Sequence, residues 1–208
     1  LPNVIHIPYP YPYRCPFGKN LTEEECGEAV LGYLEDWIFG KMVDPSEVSA
    51  IFFEPIQGEG GYVVPPRNFF PGLRKIADKY GILLVDDEVQ AGFGRTGKWF
   101  AIEHWGVEPD IITMAKAIAA GLPLGAIVGR AGVMDLPRGS HANTFGGNPV
   151  ALAAGIEVIN IINDEDLLMN AQRVGDYIKK RFMEEMDRVE LIGDVRGLGL
   201  MIGVELVK

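Results

Sequence analysis

Two short apolar runs end in residues able to do chemistry. Residues 82–85, ILLV, run into Asp86, Asp87 and Glu88, and residues 111–115, IITMA, run into Lys116. Apolar runs of this length, bounded by glycine and charge, read as buried strands of a parallel sheet. In open α/β sheets ligands collect at the carboxyl ends of strands, so an acid and a lysine stand where a ligand belongs. Lys116 lies in MAKAIAAG (114–121), among small or apolar neighbours only. An ammonium is costly to bury in such a place; an amine neutralised by covalent chemistry is not. The bland alternatives are a solvated strand end for the acids and an exposed helix-start position for the lysine. Strand alternation sends Asp86 and Asp87 to opposite faces, so at most one of them meets the ligand.

The elements that must carry these residues are legible from periodicity. Repeated Tyr-Pro steps within 2–18 favour extended loop. Thr22 and Glu25 have capping-box spacing, and Ala29, Val30, Tyr33, Leu34, Trp37 and Ile38 follow at helical spacing, predicting a helix over 23–39. A strand over 48–56 delivers Glu54 to its end. Phe69, Leu73, Ile76 and Tyr80 predict a helix stopped by Gly81. A strand to Val89 follows, then a glycine-rich loop, a short helix over 100–105, and strands at 111–114 and 124–129. Asn148-Pro149 opens a helix, and Leu168, Ala171, Val174, Ile178 and Phe182 form the apolar stripe of another over 167–186. Strands near 190–194 and 200–206 end the chain. Alternating strands and helices signal an α/β fold with a mainly parallel sheet and flanking helices.

Composition narrows the function classes. The 208 residues are 48% hydrophobic and 23% charged, a globular balance, with net charge −10 and a pI near 4.8. That charge argues against nucleic acid or an anionic membrane as partner. The amino-terminal residues lack the basic and apolar regions of a signal peptide, and the apolar stretch after Lys116 is broken by Gly121, Pro123 and Gly125, too short a run to span a membrane. Cys15 and Cys26 form no CxxC pair and suggest no disulfide framework, so both read as packing residues of a reduced, cytoplasmic protein. His6, His104 and His141 lack metal-ligand spacing, and the acids at 86–88 show no partner ligands; no metal is expected.

Two nucleotide motifs are present in outline. Residues 92–98, GFGRTGK, match GxxxxGK, and an acidic strand end lies nearby. A nucleotide hydrolase is excluded because Trp99 stands where the magnesium-binding hydroxyl belongs, because Phe93 and Arg95 crowd the loop, and because the acidic strand precedes the loop. Gly197, Gly199 and Gly203 hint at a dinucleotide fingerprint, but they lie between strands and open no helix; a tight turn is the better reading.

Five motifs in order, EPIQGEGG (54–61), DEVQAGFGRTG (87–97), Lys116 within TMAKAIAAGLPLGA (113–126), HANTFGGNP (141–149) and VRGLGLMIGVEL (195–206), resemble those of class III aminotransferases. These are pyridoxal-phosphate enzymes of fold type I, including ornithine, acetylornithine and 4-aminobutyrate aminotransferases. The resemblance covers nearly the whole chain. Family members are about twice as long, so the chain resembles a fragment whose upstream phosphate loop and ring-stacking aromatic lie elsewhere. It implies residues 1–147 as the catalytic part of the cofactor-binding large domain, and 148–208 as the interdomain helix and start of a small α/β domain.

The resemblance also implies roles. Lys116 would form the Schiff base with pyridoxal 5'-phosphate and move the proton at the substrate carbon. Asp87 would pair with the pyridine nitrogen, Val89 would pack beneath the ring and Gln90 would bond its hydroxyl; Ala91 stands where the family often has Thr. Thr144 would reach the phosphate of the neighbouring subunit's cofactor, implying a homodimer or higher homo-oligomer. Glu59 and Arg196 would form a switchable ion pair that uncovers Arg196 for the 2-oxo acid, and Glu54 an ion pair near the substrate. The implied reaction moves an amino group from an amino acid or ω-amino acid to a 2-oxo acid such as 2-oxoglutarate. A racemase on the same scaffold, and a folded but catalytically silent fragment, are the alternatives.

Overall fold

The structure is a computed structural model and describes residues 3–208; Leu1 and Pro2 of the expected amino-terminal loop lie outside the described residues. The loop bears one 3-10 turn, Pro12–Arg14. Helix α1 (Glu23–Gly32) begins at Thr22, whose hydroxyl accepts the Glu25 N–H at 3.2 Å while Glu25 Oε2 accepts the Thr22 N–H at 2.7 Å. The expected reciprocal cap is therefore present. The helix continues in wider π-helical turns over Tyr33–Met42. Leu34 and Ile38 stay buried in them, but Trp37, expected on the apolar face, is 54% exposed.

Cys15 and Cys26 form a disulfide, with Cα atoms 5.9 Å apart. This corrects the expectation of two packed thiols in a reduced setting. The two are 11 residues apart in sequence, a separation that names no motif; only the loop's return onto α1 brings them within bridging range.

Strand β1 (Ala50–Phe53), helix α2 (Phe69–Tyr80), β2 (Leu83–Asp87), β3 (Ile111–Met114), β4 (Ala126–Gly129) and the short α3 (Ala131–Met134) follow. The sheet order is β1-β2-β3-β4, parallel through β3, with β4 antiparallel on the edge. Gly81, at φ 69°, ends α2 in the left-handed conformation that glycine adopts without strain. Phe70 of α2 is fully buried, 4.7 Å from the Phe53 ring and 5.1 Å from Trp105 by centroid. Truncating such a side chain costs about 3–5 kcal/mol, so this aromatic contact is a main fastening of α2 to the sheet. At the opposite end of β2, Asp110 accepts the Leu84 N–H at 2.8 Å and pairs with Arg74 and Arg130.

Helix α4 (Pro149–Asp164) starts at Asn148, whose side chain accepts the Val150 N–H at 2.9 Å. Helix α5 (Leu167–Met186) then packs on a hairpin of β5 (Ile192–Leu198) and β6 (Met201–Leu206). Ala171 of its apolar stripe is buried, while Phe182 near the far end is 38% exposed. Gly199, at φ 53°, and Leu200 turn the hairpin between Leu198 and Met201, and Gly197 lies within β5 at φ 131°, so the apparent dinucleotide fingerprint is a tight turn.

Candidate active site

Parallel pairing sets the site. Asp87, the last residue of β2, is in register with Thr113 of β3, and Lys116 follows β3 two residues beyond its end. The acid and the lysine thus stand at neighbouring carboxyl ends, where open sheets bind ligands. Asp87 is half-buried and Asp86 fully buried. Asp87 Oδ1 accepts the Val89 N–H at 3.0 Å. Lys116 is exposed, which corrects the expectation of a buried amine: its apolar neighbours Ile118 and Ala119 turn inward while its own side chain faces out. Its φ of 49° is uncommon for a side-chain-bearing residue. Strain of this kind clusters at functional sites.

Gln90 Nε2 donates to Glu59 Oε1 at 3.0 Å. Gly58 leaves room for this contact: a Cβ there would lie 2.5 Å from the Gln90 amide and push it aside. Glu54, expected in an ion pair, instead accepts the Gly58 N–H at 2.5 Å and makes no ion pair among the described residues. It shapes the loop that carries Glu59. Arg196 does not meet Glu59: it pairs with Asp194 at 2.8 Å and Glu205 at 2.9 Å, and donates to the Gly61 carbonyl. The expected Glu59–Arg196 ion pair is therefore corrected. The guanidinium is already neutralised by two carboxylates of its own hairpin. Glu59 and Arg196 nevertheless line one open cavity of about 490 Å³, with Tyr62 and Glu205.

The glycine-rich loop after Gln90 faces protein. A Cβ on Gly94 would meet Leu168 at 3.0 Å and one on Gly97 would meet Gln172 at 3.1 Å, both on α5, and the Leu200 N–H donates to Arg95 O at 2.9 Å. Its glycines thus admit α5 and the hairpin rather than a phosphate. Thr144 lies exposed in the segment between α3 and α4, with no bond to Asp87 or Lys116 in this chain. Among the described residues no group of three or more His, Cys, Asp or Glu side chains could hold a metal ion, and no described helix is long and apolar enough to cross a membrane.

Sequence reasoning missed a tyrosine strap. Tyr9 donates to the Glu54 carbonyl at 2.9 Å, Tyr11 donates to Glu205, and Arg14 pairs with Glu205 at 2.8 Å. The Arg196 guanidinium lies 4.9 Å from the Tyr11 ring centroid. The Tyr-Pro repeat was the available signal: extended backbone of that kind presents its rings to whatever lies alongside. Also missed was the burial of Glu88, 1% exposed, whose Oε1 accepts the Ile102 N–H at 2.9 Å.

A half-buried carboxylate and an exposed amine, neither in an ion pair among the described residues, suit a ligand that carries a cationic ring nitrogen and a carbonyl. The sheet, with this pair at its carboxyl edge, defines the cofactor-binding half of a pyridoxal-phosphate enzyme. The chain belongs to the class-III aminotransferase family, whose model matches residues 1–208. The cofactor is pyridoxal phosphate. Among curated relatives, it is 53% identical to a leucine/methionine racemase of Thermococcus litoralis, over all of this chain and 46% of the relative. It is 52% identical to an alanine/serine racemase of Pyrococcus horikoshii, over all of this chain and 44% of the relative. It is 42% identical to a diaminobutyrate–2-oxoglutarate aminotransferase of Haemophilus influenzae, over all of this chain and 45% of the relative. A solved (S)-enantioselective omega-transaminase from Thermomicrobium roseum superposes with a TM-score of 0.90 at 38% identity, over all of this chain and 47% of that one. The chain spans about half the length of the curated relatives it matches.

Proposed function

We propose that the protein is an aminotransferase that moves an amino group from an amino acid or ω-amino acid to a 2-oxo acid. The observation that carries this reading is the β2–β3 register, with Asp87 and Lys116 at adjacent strand ends. Pyridoxal phosphate, when bound, supplies the electron sink that makes the hydrogen on the amine-bearing carbon acidic. Lys116 would hold the cofactor covalently through its Nζ, and the same amine, when free, would take the proton from that carbon and return it elsewhere. Asp87 holds the proton on the ring nitrogen through an ion pair. Val89 packs against the ring and Gln90 bonds its hydroxyl, while Glu59, bonded to Gln90, lies where the substrate's side chain passes. Thr144 serves the phosphate in a neighbouring subunit, which makes the working form a homodimer or larger. The large and small domains divide near residue 147.

Racemisation is the second reading, and a specific observation favours it: the Thermococcus and Pyrococcus relatives, at 53% and 52% identity, are both named racemases. The two activities share the proton removal and part at its return. Return of the proton to the substrate carbon on the opposite face would yield the D-amino acid; return of the proton by Lys116 anywhere else would commit to transfer. The deciding experiment incubates the complete enzyme with L-leucine, L-alanine, ornithine and 4-aminobutyrate, each with and without 2-oxoglutarate. Stoichiometric glutamate formation supports transfer. D-amino acid formed without 2-oxoglutarate, and no glutamate with it, replaces transfer by racemisation.

A further inference from the structure

Asp86 and Glu88 flank Asp87 and are 0% and 1% exposed. Two residues apart on extended chain, they share a face, so their side chains run side by side. Both oxygens of Asp86 and Oε2 of Glu88 are buried with no hydrogen-bond partner, while Glu88 Oε1 is taken by Ile102 N–H. Three orphaned acceptors side by side are costly. Among the described residues no Lys or Arg pairs with either acid. The titratable groups around them add none: Tyr9 of the strap, itself beside Glu54, Asp87 in the same strand, and Glu103 of the turn that carries Ile102. Two ionised carboxylates cannot be held there; one proton between them removes the conflict.

We propose that Asp86 and Glu88 share a single proton, with Asp86 O–H donating to Glu88 Oε2, and that this pair acts as a positioning device for Asp87. The proton belongs on Asp86 because Glu88 already accepts a backbone N–H, which favours its anion, whereas Asp86 accepts none. Burial pushes both carboxyls above the usual carboxylate range, with the neighbouring Glu88 charge a further cause for Asp86. The consequence for the site is mechanical. Glu88 is fastened on one side by its N–H to Thr113 O at 3.0 Å and on the other by Ile102 N–H. The shared proton joins Asp86 to that anchored residue, so the peptide units on both sides of Asp87 are held. It also leaves Asp87 as the carboxylate available to the ring nitrogen. The positioning half rests on the reading of Asp87 given above; the shared proton does not.

The test uses the full-length protein, the variants Asp86→Asn and Asp86→Ala, and three measurements. Isotope-edited infrared spectra, recorded without cofactor, should show a protonated-carboxyl band at neutral pH in the wild type and lose it in both variants. A wild type with no such band at neutral pH overturns the shared proton. Melting temperature should fall in the wild type as pH rises from about 4, the ordinary carboxyl range, towards the raised value of Asp86. A proton held in the folded state but not in the unfolded one is lost with rising pH. Asp86→Asn, whose amide N–H replaces the O–H, should flatten that slope, and an unchanged slope overturns the shared proton. Finally, Asp86→Ala should weaken cofactor binding by about tenfold while Asp86→Asn stays within about threefold. If the two variants bind cofactor equally, Asp87 is not positioned this way. A wild type that binds no pyridoxal phosphate overturns the proposed function instead.

Discussion

The Arg196 guanidinium meets the Glu205 carboxylate at 2.9 Å, across the hairpin of β5 and β6. Glu205 also accepts from Tyr11 and from Arg14 at 2.8 Å, so one carboxylate gathers the amino-terminal strap and the carboxyl-terminal hairpin. The Tyr11 hydroxyl, then burial acting against it, then the Arg14 and Arg196 guanidiniums leave its carboxyl below the usual range. Glu205→Ala should cost about 2 kcal/mol, the scale of hydrogen bonds to a charged group. The sign with pH follows from a depressed folded-state value. Stability from Glu205 is present above about pH 4.5 and is lost as pH falls through that lower value. Urea midpoints of wild type and Glu205→Ala measured down the acid limb should therefore converge.

Lys116→Ala should abolish covalent capture of pyridoxal phosphate and lower turnover at least about 100-fold, the low end for loss of a general acid-base group. Borohydride reduction and peptide mapping of the complete enzyme check this. An adduct on Lys98 or Lys75 would assign the chemistry elsewhere.

Asp87→Asn should reduce the amine half-reaction by about 100-fold or more while cofactor affinity changes far less. An amide cannot hold a proton on the ring nitrogen as a carboxylate does, so the loss falls on charge developed in the transition state. Single-turnover absorbance with the amino donor separates rate from binding; equal losses in both would make Asp87 a binding residue only.

Cys15→Ser should destabilise the protein by about 3 kcal/mol, the scale for closing a loop of this size. The bridge ties the strap to α1, so the loss should appear in guanidinium unfolding of the oxidised wild type against the variant. Reductant added to the wild type should reproduce it, and a midpoint unmoved by either change would mean that Tyr9, Tyr11 and Arg14 hold the strap unaided.

The order of elements and the placing of Asp87 and Lys116 at neighbouring strand ends were legible in the sequence because both are local. A capping box at Thr22 and Glu25, an apolar stripe ending at Gly81, and an apolar run ending in Asp87 each declare themselves within a turn or two of chain. Parallel pairing at carboxyl ends then places Asp87 beside the approach to Lys116 with no further information. Only the tertiary structure decided what depends on distant chain. It joined Cys15 to Cys26, turned Lys116 outward, gave Arg196 to Asp194 and Glu205 rather than Glu59, and buried Asp86 with Glu88 beneath the strand. Each of these outcomes is set by which surface comes to lie against the residue. For an ionisable group that surface fixes the partner and the desolvation together, and neither is written in the spacing of its neighbours.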